Sequence, residues 1–253
     1  TIDPMMAEEI LKNMQTALDK QKSFAINDTF DMELQGDMNS GYIKSESTLQ
    51  YVLQTGGYKL QGKERTDRDA GSNDKINESI VYAETTDEGM VLLRTLSTGK
   101  WQKLRYDAAG REAYTIINRF YAIAENKNNA KYLGVENTDG KMAHMIEYVA
   151  TPEQLAWHFN LLEENSIPVE MIGEEKKQEL CNTFQFKQTL YVDMDTNLPI
   201  KLVSDYTLLE NEMQKLAGID IEVKKANGET KVYDYGMVEN FDIPESAREV
   251  YEK

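Results

Sequence analysis

The chain has 253 residues and a formal net charge of −16, with 40% hydrophobic and 28% charged residues. It is long enough to bury a sizeable core, but its acidity repels nucleic acid and anionic surfaces, and neither Lys176-Lys177 nor Lys224-Lys225 grows into a basic patch. No run approaches the roughly 18 apolar residues of a membrane span, and the single cysteine, Cys181, allows neither an intramolecular disulfide nor a cysteine-based zinc site.

Asp3-Pro4 starts a helix, a capping acid followed by proline in the first turn. Ala7, Ile10, Leu11, Met14, Ala17 and Leu18 then share one face, and the pattern ends near Lys20. Strands follow. Phe24, Ile26, Phe30, Met32 and Leu34 alternate with polar neighbours, as do Leu49, Tyr51 and Leu53 before the Thr55-Gly56-Gly57 turn. Residues 58–66 read as a more polar strand near an edge, and residues 67–75 (DRDAGSNDK) as a loop. Residues 76–85 and 90–96 form a hairpin around Asp87-Glu88-Gly89, and Ser97-Thr98-Gly99-Lys100 turns into a strand at 101–106.

Tyr114, Ile117, Phe120, Tyr121 and Ala124 keep a helical face. Residues 132–136 and 142–149 pair across Asp139-Gly140, a two-residue hairpin signal. Thr151-Pro152-Glu153-Gln154 is a capping box, and Leu155, Phe159 and Leu162 form the stripe of its helix. Residues 165–180 read as a loop with one short helix, punctuated by Pro168 and Gly173. In residues 184–208, Phe184, Phe186, Leu190, Val192 and Met194 alternate with polar residues, Asp195-Thr196-Asn197 turns, and Leu198, Ile200, Leu202 and Tyr206 resume the alternation. Ile219, Ile221 and Val223 alternate, Asn227-Gly228 reads as a turn, residues 232–238 close the sheet, and Phe241-Asp242-Ile243-Pro244 ends it. That makes about ten or eleven strands joined mostly by short turns, which force antiparallel pairing. The fold class is α+β, with helices gathered on one face of an antiparallel sheet in a single domain spanning residues 1–253.

No motif for catalysis stands out. His144 and His158 are isolated, and there is no metalloprotease, nucleophile-elbow, phosphate-loop or dinucleotide fingerprint. Asp193, Asp195 and Asn197 have the spacing of a calcium loop, but Leu198-Pro199 stand where such a loop needs glycine, so the turn reading wins. Asp67, Asp69, Asn73 and Asp74 read as a solvated acidic loop, and nothing singles out two of the 44 acids as a glycosidase pair. Cys181, with no histidine nearby in sequence, reads as a packed thiol. The chain is expected to be no enzyme, with no cofactor and no metal.

Residues 191–201, YVDMDTNLPIK, resemble a hairpin of bacterial extracytoplasmic lipoproteins, the LolA-like group together with the LppX/LprG-like lipoproteins. Other pieces resemble the family in the same order. They are the N-terminal helix before Ser23-Phe24, Gly99-Lys100-Trp101, Tyr132-Leu133-Gly134-Val135-Glu136 with Asp139-Gly140, and Tyr235-Gly236 with Ile243-Pro244. The resemblance implies a strongly curved half-barrel with helices on its concave face and an apolar cavity between them. It also implies an exported, membrane-anchored protein whose signal peptide and lipid-modified cysteine precede this sequence, residues 1–4 being a tether or an expression remnant. The implied partner is a hydrophobic small molecule or lipid acyl chain, held for carriage or sensing, with membrane contact through the N-terminal anchor and no nucleic acid. The rival reading is an envelope protein-interaction or signalling module of the same fold with a filled core. Cavity-lining candidates are Phe30, Met32, Leu34, Leu49, Tyr51, Leu92, Trp101, Met142, Ile146, Trp157, Phe159, Phe186, Leu190 and Val192. Methionines on strands (Met32, Met90, Met142, Met194) suit variable contents, although simple filling of the core is the favoured reading for each.

Overall fold

The computed structural model describes residues 4–36, 40–70, 75–108, 111, 116–162 and 172–251. Asp3, Asn73, Asp74, Tyr114, Pro168 and the side chain of His158 lie outside the described residues. Helix α1 (Pro4–Leu18) leads into β1 (Ser23–Gln35), β2 (Gly41–Gln54), β3 (Gly57–Ala70), β4 (Lys75–Thr86), β5 (Gly89–Thr95) and β6 (Trp101–Asp107). Helix α2 (Ile116–Glu125) then precedes the hairpin of β7 (Ala130–Thr138) and β8 (Lys141–Val149). Two more helices, α3 (Pro152–Leu162) and α4 (Glu174–Thr183), lead to β9 (Lys187–Asp193) and β10 (Pro199–Asp205). The chain ends with α5 (Thr207–Ala217), β11 (Glu222–Tyr233) and α6 (Glu245–Tyr251).

The strands form one 11-stranded sheet in the order β6-β5-β4-β3-β2-β1-β11-β10-β9-β8-β7, with every neighbouring pair antiparallel. The two halves of the chain meet where β1 pairs with β11, and among the described residues β6 and β7 each pair with one strand only, so the sheet is an open half-barrel. One close approach in the sheet lies on β3. A Cβ on Gly62 would lie 2.0 Å from the carbonyl oxygen of Thr48, closer than any side chain tolerates, so only glycine fits where β3 passes β2.

Apolar residues of the inward strand phase make the core with the helices. Leu11, Met14 and Leu18 of α1 and Ile117, Phe120 and Ile123 of α2 pack with Phe24, Met32, Tyr51, Leu60, Leu92, Ile146, Phe186 and Leu190. Phe24 and Tyr51, opposite each other on β1 and β2, stack at 4.7 Å. A second, small cluster lies on the outer face, where Ile243 and Ala247 beside α6 cover Leu93, with Tyr82 and Trp101 packed against it.

Several local expectations hold at atomic detail. Asp139 and Gly140 take φ of 52° and 82° between the paired Thr138 and Lys141, the geometry of a tight hairpin. In the capping box, Gln154 Oε1 accepts from Thr151 N–H at 2.8 Å and Gln154 N–H donates to Thr151 Oγ1 at 3.3 Å. At the YVDMDTNLPIK hairpin, Asp193 Oδ1 accepts the Asp195 N–H at 2.9 Å, Asn197 N–H donates to the Asp193 carbonyl at 2.9 Å, and Asn197 takes φ 58°. Burial pushes the Asp193 carboxyl up, but the Asp195 N–H and the Lys141 ammonium, 3.3 Å away, outweigh it, and the group is held below its ordinary value.

Other expectations need correction. The strand expected near an edge, β3, lies inside the sheet between β2 and β4, and its polar residues Glu64, Thr66 and Arg68 line a cavity and not the sheet rim. Residues 67–70 of the expected acidic loop continue β3, pairing with β2 as far as Ala70. Asn227-Gly228 is not a turn, since β11 runs straight through it; Gly228 is needed because a Cβ there would sit 2.9 Å from the Tyr206 ring. Residues 234–238 lie beyond the last strand, and the helices α5 and α6 stand where the sequence reading placed no helix.

Candidate functional site

The inward phase of the sheet changes character partway along its strands. In β1 it runs Phe24, Ile26, Asp28, Phe30; in β2 Ser45 and Ser47 precede Leu49 and Tyr51; in β3 Leu60 and Gly62 give way to Glu64, Thr66 and Arg68. Register aligns these changes. Thr230 of β11, Asp28 of β1, Ser47 of β2, Glu64 of β3 and Ser79 of β4 lie side by side as one polar row across five strands. No apolar helix face packs favourably on such a row without stranding its polar groups. Over these strands the half-barrel therefore stays open, with a cavity of about 590 Å³. That volume lies within the range of small-molecule sites, roughly 300 to 1,000 Å³.

The cavity wall is mostly polar. Ile26, Leu49, Tyr51, Leu96 and Ile116 supply its apolar surface, and the rest is Ser, Thr, Asn, Gln, carboxylates and arginines. Arg94 of β5 binds Glu64 at 3.0 Å. Arg65 reaches Glu78 at 3.5 Å, with both side chains largely in solvent. Asp28 lies in the cavity wall, surrounded by protein but with its side chain exposed to the cavity. Its Oδ1 accepts a 2.5 Å hydrogen bond from Thr230 Oγ1. Burial raises the Asp28 pKa, against the opposing pull of the Thr230 hydroxyl and the Arg119 charge. Tyr51, fully buried beneath, is pushed well above the usual phenol value by burial and then by Tyr58, Asp28 and Glu64.

Arg119 comes from α2. Its neighbours Ile116, Ile117, Phe120 and Ile123 are buried, which anchors the helix and projects the guanidinium into the cavity. It also borders a small cleft formed with Ile123, Tyr148, Gln154, Trp157 and Gln188. Among the described residues no group of three or more His, Cys, Asp or Glu is arranged to hold a metal ion, and no helix is long and apolar enough to cross a membrane.

No protein-family model matches the sequence, and no curated protein matches it. Solved structures do. LprF from Mycobacterium bovis aligns over 98% of this chain and 99% of its own, with a TM-score of 0.53 and 12% identity. The chain shares the fold of LprF, here an open antiparallel half-barrel. More distant likenesses are the lipoprotein LppX of Mycobacterium tuberculosis (TM-score 0.46, 9% identity, covering 94% of this chain and 98% of that one) and a putative outer membrane lipoprotein-sorting protein domain from Vibrio parahaemolyticus (0.31, 10%, 99% and 100%). At such identities the likeness is one of fold.

Within this half-barrel the candidates from sequence are dispersed. Leu49 and Tyr51 line the cavity, and Trp157 lines the small cleft. Met32, Leu92, Ile146, Phe159, Phe186, Leu190 and Val192 are buried in the main core. Phe30 and Leu34 pack against that core partly buried, Phe30 edge-on to Tyr206 with ring centroids 5.8 Å apart. Trp101 faces outward, packed in the cluster by α6, because it alternates with the inward Gln102. Met142, at the end of β8, is 49% exposed. The residues that sequence reasoning passed over are Asp28, Ser45, Ser47, Glu64, Arg94 and Arg119. Their signal was legible in β1 to β3, where polar side chains occupy positions in the otherwise apolar phase.

Proposed function

We propose that this protein is an extracytoplasmic, membrane-anchored binding protein of the lipoprotein type, which holds an amphiphilic ligand in its half-barrel for carriage or sensing. The observation that carries this reading is the cavity of about 590 Å³ lined both by the polar row and by the apolar side chains Ile26, Leu49, Tyr51, Leu96 and Ile116. An acyl or other apolar segment gains about 0.8 kcal/mol for each methylene laid on the apolar wall. The polar row suits the ligand's polar end, which a purely hydrocarbon ligand would leave unmatched. The likeness to LprF supports the same reading at the level of fold.

The test is gentle purification from the membrane fraction, native mass spectrometry of the intact chain, and mass spectrometry of its organic extract. A stoichiometric co-purifying amphiphile, or uptake of one from a lipid extract, is the expected outcome. A clean unliganded mass with no uptake would instead favour an envelope-interaction module that works through its surface.

A further inference from the structure

The cavity's charges do not resemble the rest of the chain. The protein is strongly acidic and carries three times as many lysines as arginines. Yet four of its seven arginines, Arg65, Arg68, Arg94 and Arg119, line the cavity, and no lysine is among the described lining residues. They face three carboxylates, Asp28, Glu64 and Glu78, so the cavity has a cationic excess inside an anionic protein. Glu64 and Glu78 are each engaged by an arginine. Asp28 Oδ1 is taken by Thr230.

Arg119 differs from the other three. Among the described residues none accepts a hydrogen bond from it or forms an ion pair with it. It is half-buried, at the junction of the cavity and the cleft by Trp157. A guanidinium has five N–H donors in a rigid planar fork that matches the oxygens of carboxylate and phosphate, and it is less strongly hydrated than an ammonium. Asp28 feels its charge but makes no ion pair with it, so the N–H donors of this half-withdrawn guanidinium are left for an oxyanion.

Resting on the amphiphile reading above, we propose that Arg119 selects the ligand by its oxyanion: the cavity takes molecules bearing a carboxylate or phosphate, which the Arg119 fork binds. Arg94, already held by Glu64, fixes the electrostatic floor of the cavity, while Arg119 remains available to the ligand.

The test is calorimetric binding of dodecanoate, dodecyl phosphate, dodecanol and dodecyltrimethylammonium below micelle-forming concentrations, with acetate and inorganic phosphate as tail-free probes. Wild type, Arg119→Gln and Arg119→Lys are compared after thermal melts show that they fold alike. The two anionic amphiphiles are expected to bind on the order of tenfold to a hundredfold tighter than dodecanol, as charge-assisted hydrogen bonds predict. Arg119→Gln should erase that preference by weakening the two anions far more than dodecanol, with Arg119→Lys in between. Acetate or phosphate binding as tightly as its dodecyl counterpart, with that binding lost in Arg119→Gln, supports the oxyanion assignment and identifies a free anion as the ligand, which overturns the amphiphile reading. Equal binding of all four amphiphiles, or an anion preference that survives Arg119→Gln, overturns the role of Arg119 and leaves the amphiphile reading standing. Binding of none of the probes overturns both.

Discussion

Glu210 offers a sharp test of how burial is handled in this fold. It lies in the first turn of α5, fully buried, and among the described residues neither carboxylate oxygen has a hydrogen-bond partner. Burial pushes its pKa from the ordinary 4.5 to about 7. The folded protein therefore holds this proton up to about pH 7, whereas the unfolded chain releases it near 4.5. Stability from this group is full below 4.5, falls as pH rises through that window, and levels off above about 7. At roughly 1.4 kcal/mol per unit of pKa, the loss comes to about 3 kcal/mol. Glu210→Gln removes the titration while keeping the shape. Urea unfolding of wild type and variant should then give a stability difference that shifts toward the variant by about 3 kcal/mol between about pH 4.5 and pH 8. Comparing the two proteins at each pH cancels the titration of the other acids. A difference that stays constant across the window, or shifts in the opposite sense, would refute the reasoning.

Gly62→Ala should cost about 2 to 4 kcal/mol in denaturant unfolding, because the new methyl meets backbone and not a movable side chain; an unchanged midpoint would contradict the close approach of β3 to Thr48. Tyr148→Phe removes a buried 2.7 Å hydrogen bond to Gln154 Oε1, and since Thr151 N–H still satisfies that oxygen, the expected cost is about 1 kcal/mol. Cys181 is buried, and burial raises its thiol pKa. Its reaction with a thiol reagent should therefore follow the opening of the fold, and stoichiometric labelling of the native protein within seconds would count against its placement.

Much of this architecture was legible from local chemistry. The strands of the sheet, the Asp139-Gly140 hairpin, the Thr151-Gln154 capping box and the turn at Asp193 to Leu198 are each specified by neighbours within a few residues: alternation, a paired cap, an Asp that binds its own backbone. The ordered resemblance to LolA-like lipoproteins pointed to the half-barrel that the LprF comparison bears out. Helix α5 was missed although Leu209 and Met213 lie one turn apart on its buried face, because the alternation of β10 was carried past its end. Gly228 was misread as a turn because its requirement comes from the Tyr206 ring, a distant contact in a different element.

The sequence by itself determined which side of each strand is apolar, and with it the antiparallel sheet and its covered concave face. It did not say how far the strands slide against one another, and that register decided the site. Thr230, Asp28, Ser47, Glu64 and Ser79 come from strands spread over most of the chain, and only their pairing lines them up as one row. The helices cover the apolar stretch of the concave face and leave this row open, so a cavity expected to be apolar is mostly polar. Arg119 reaches it from α2 because the buried apolar face of that helix sets the direction of the guanidinium. Such a juxtaposition depends on distances between elements far apart in sequence, which no local pattern encodes.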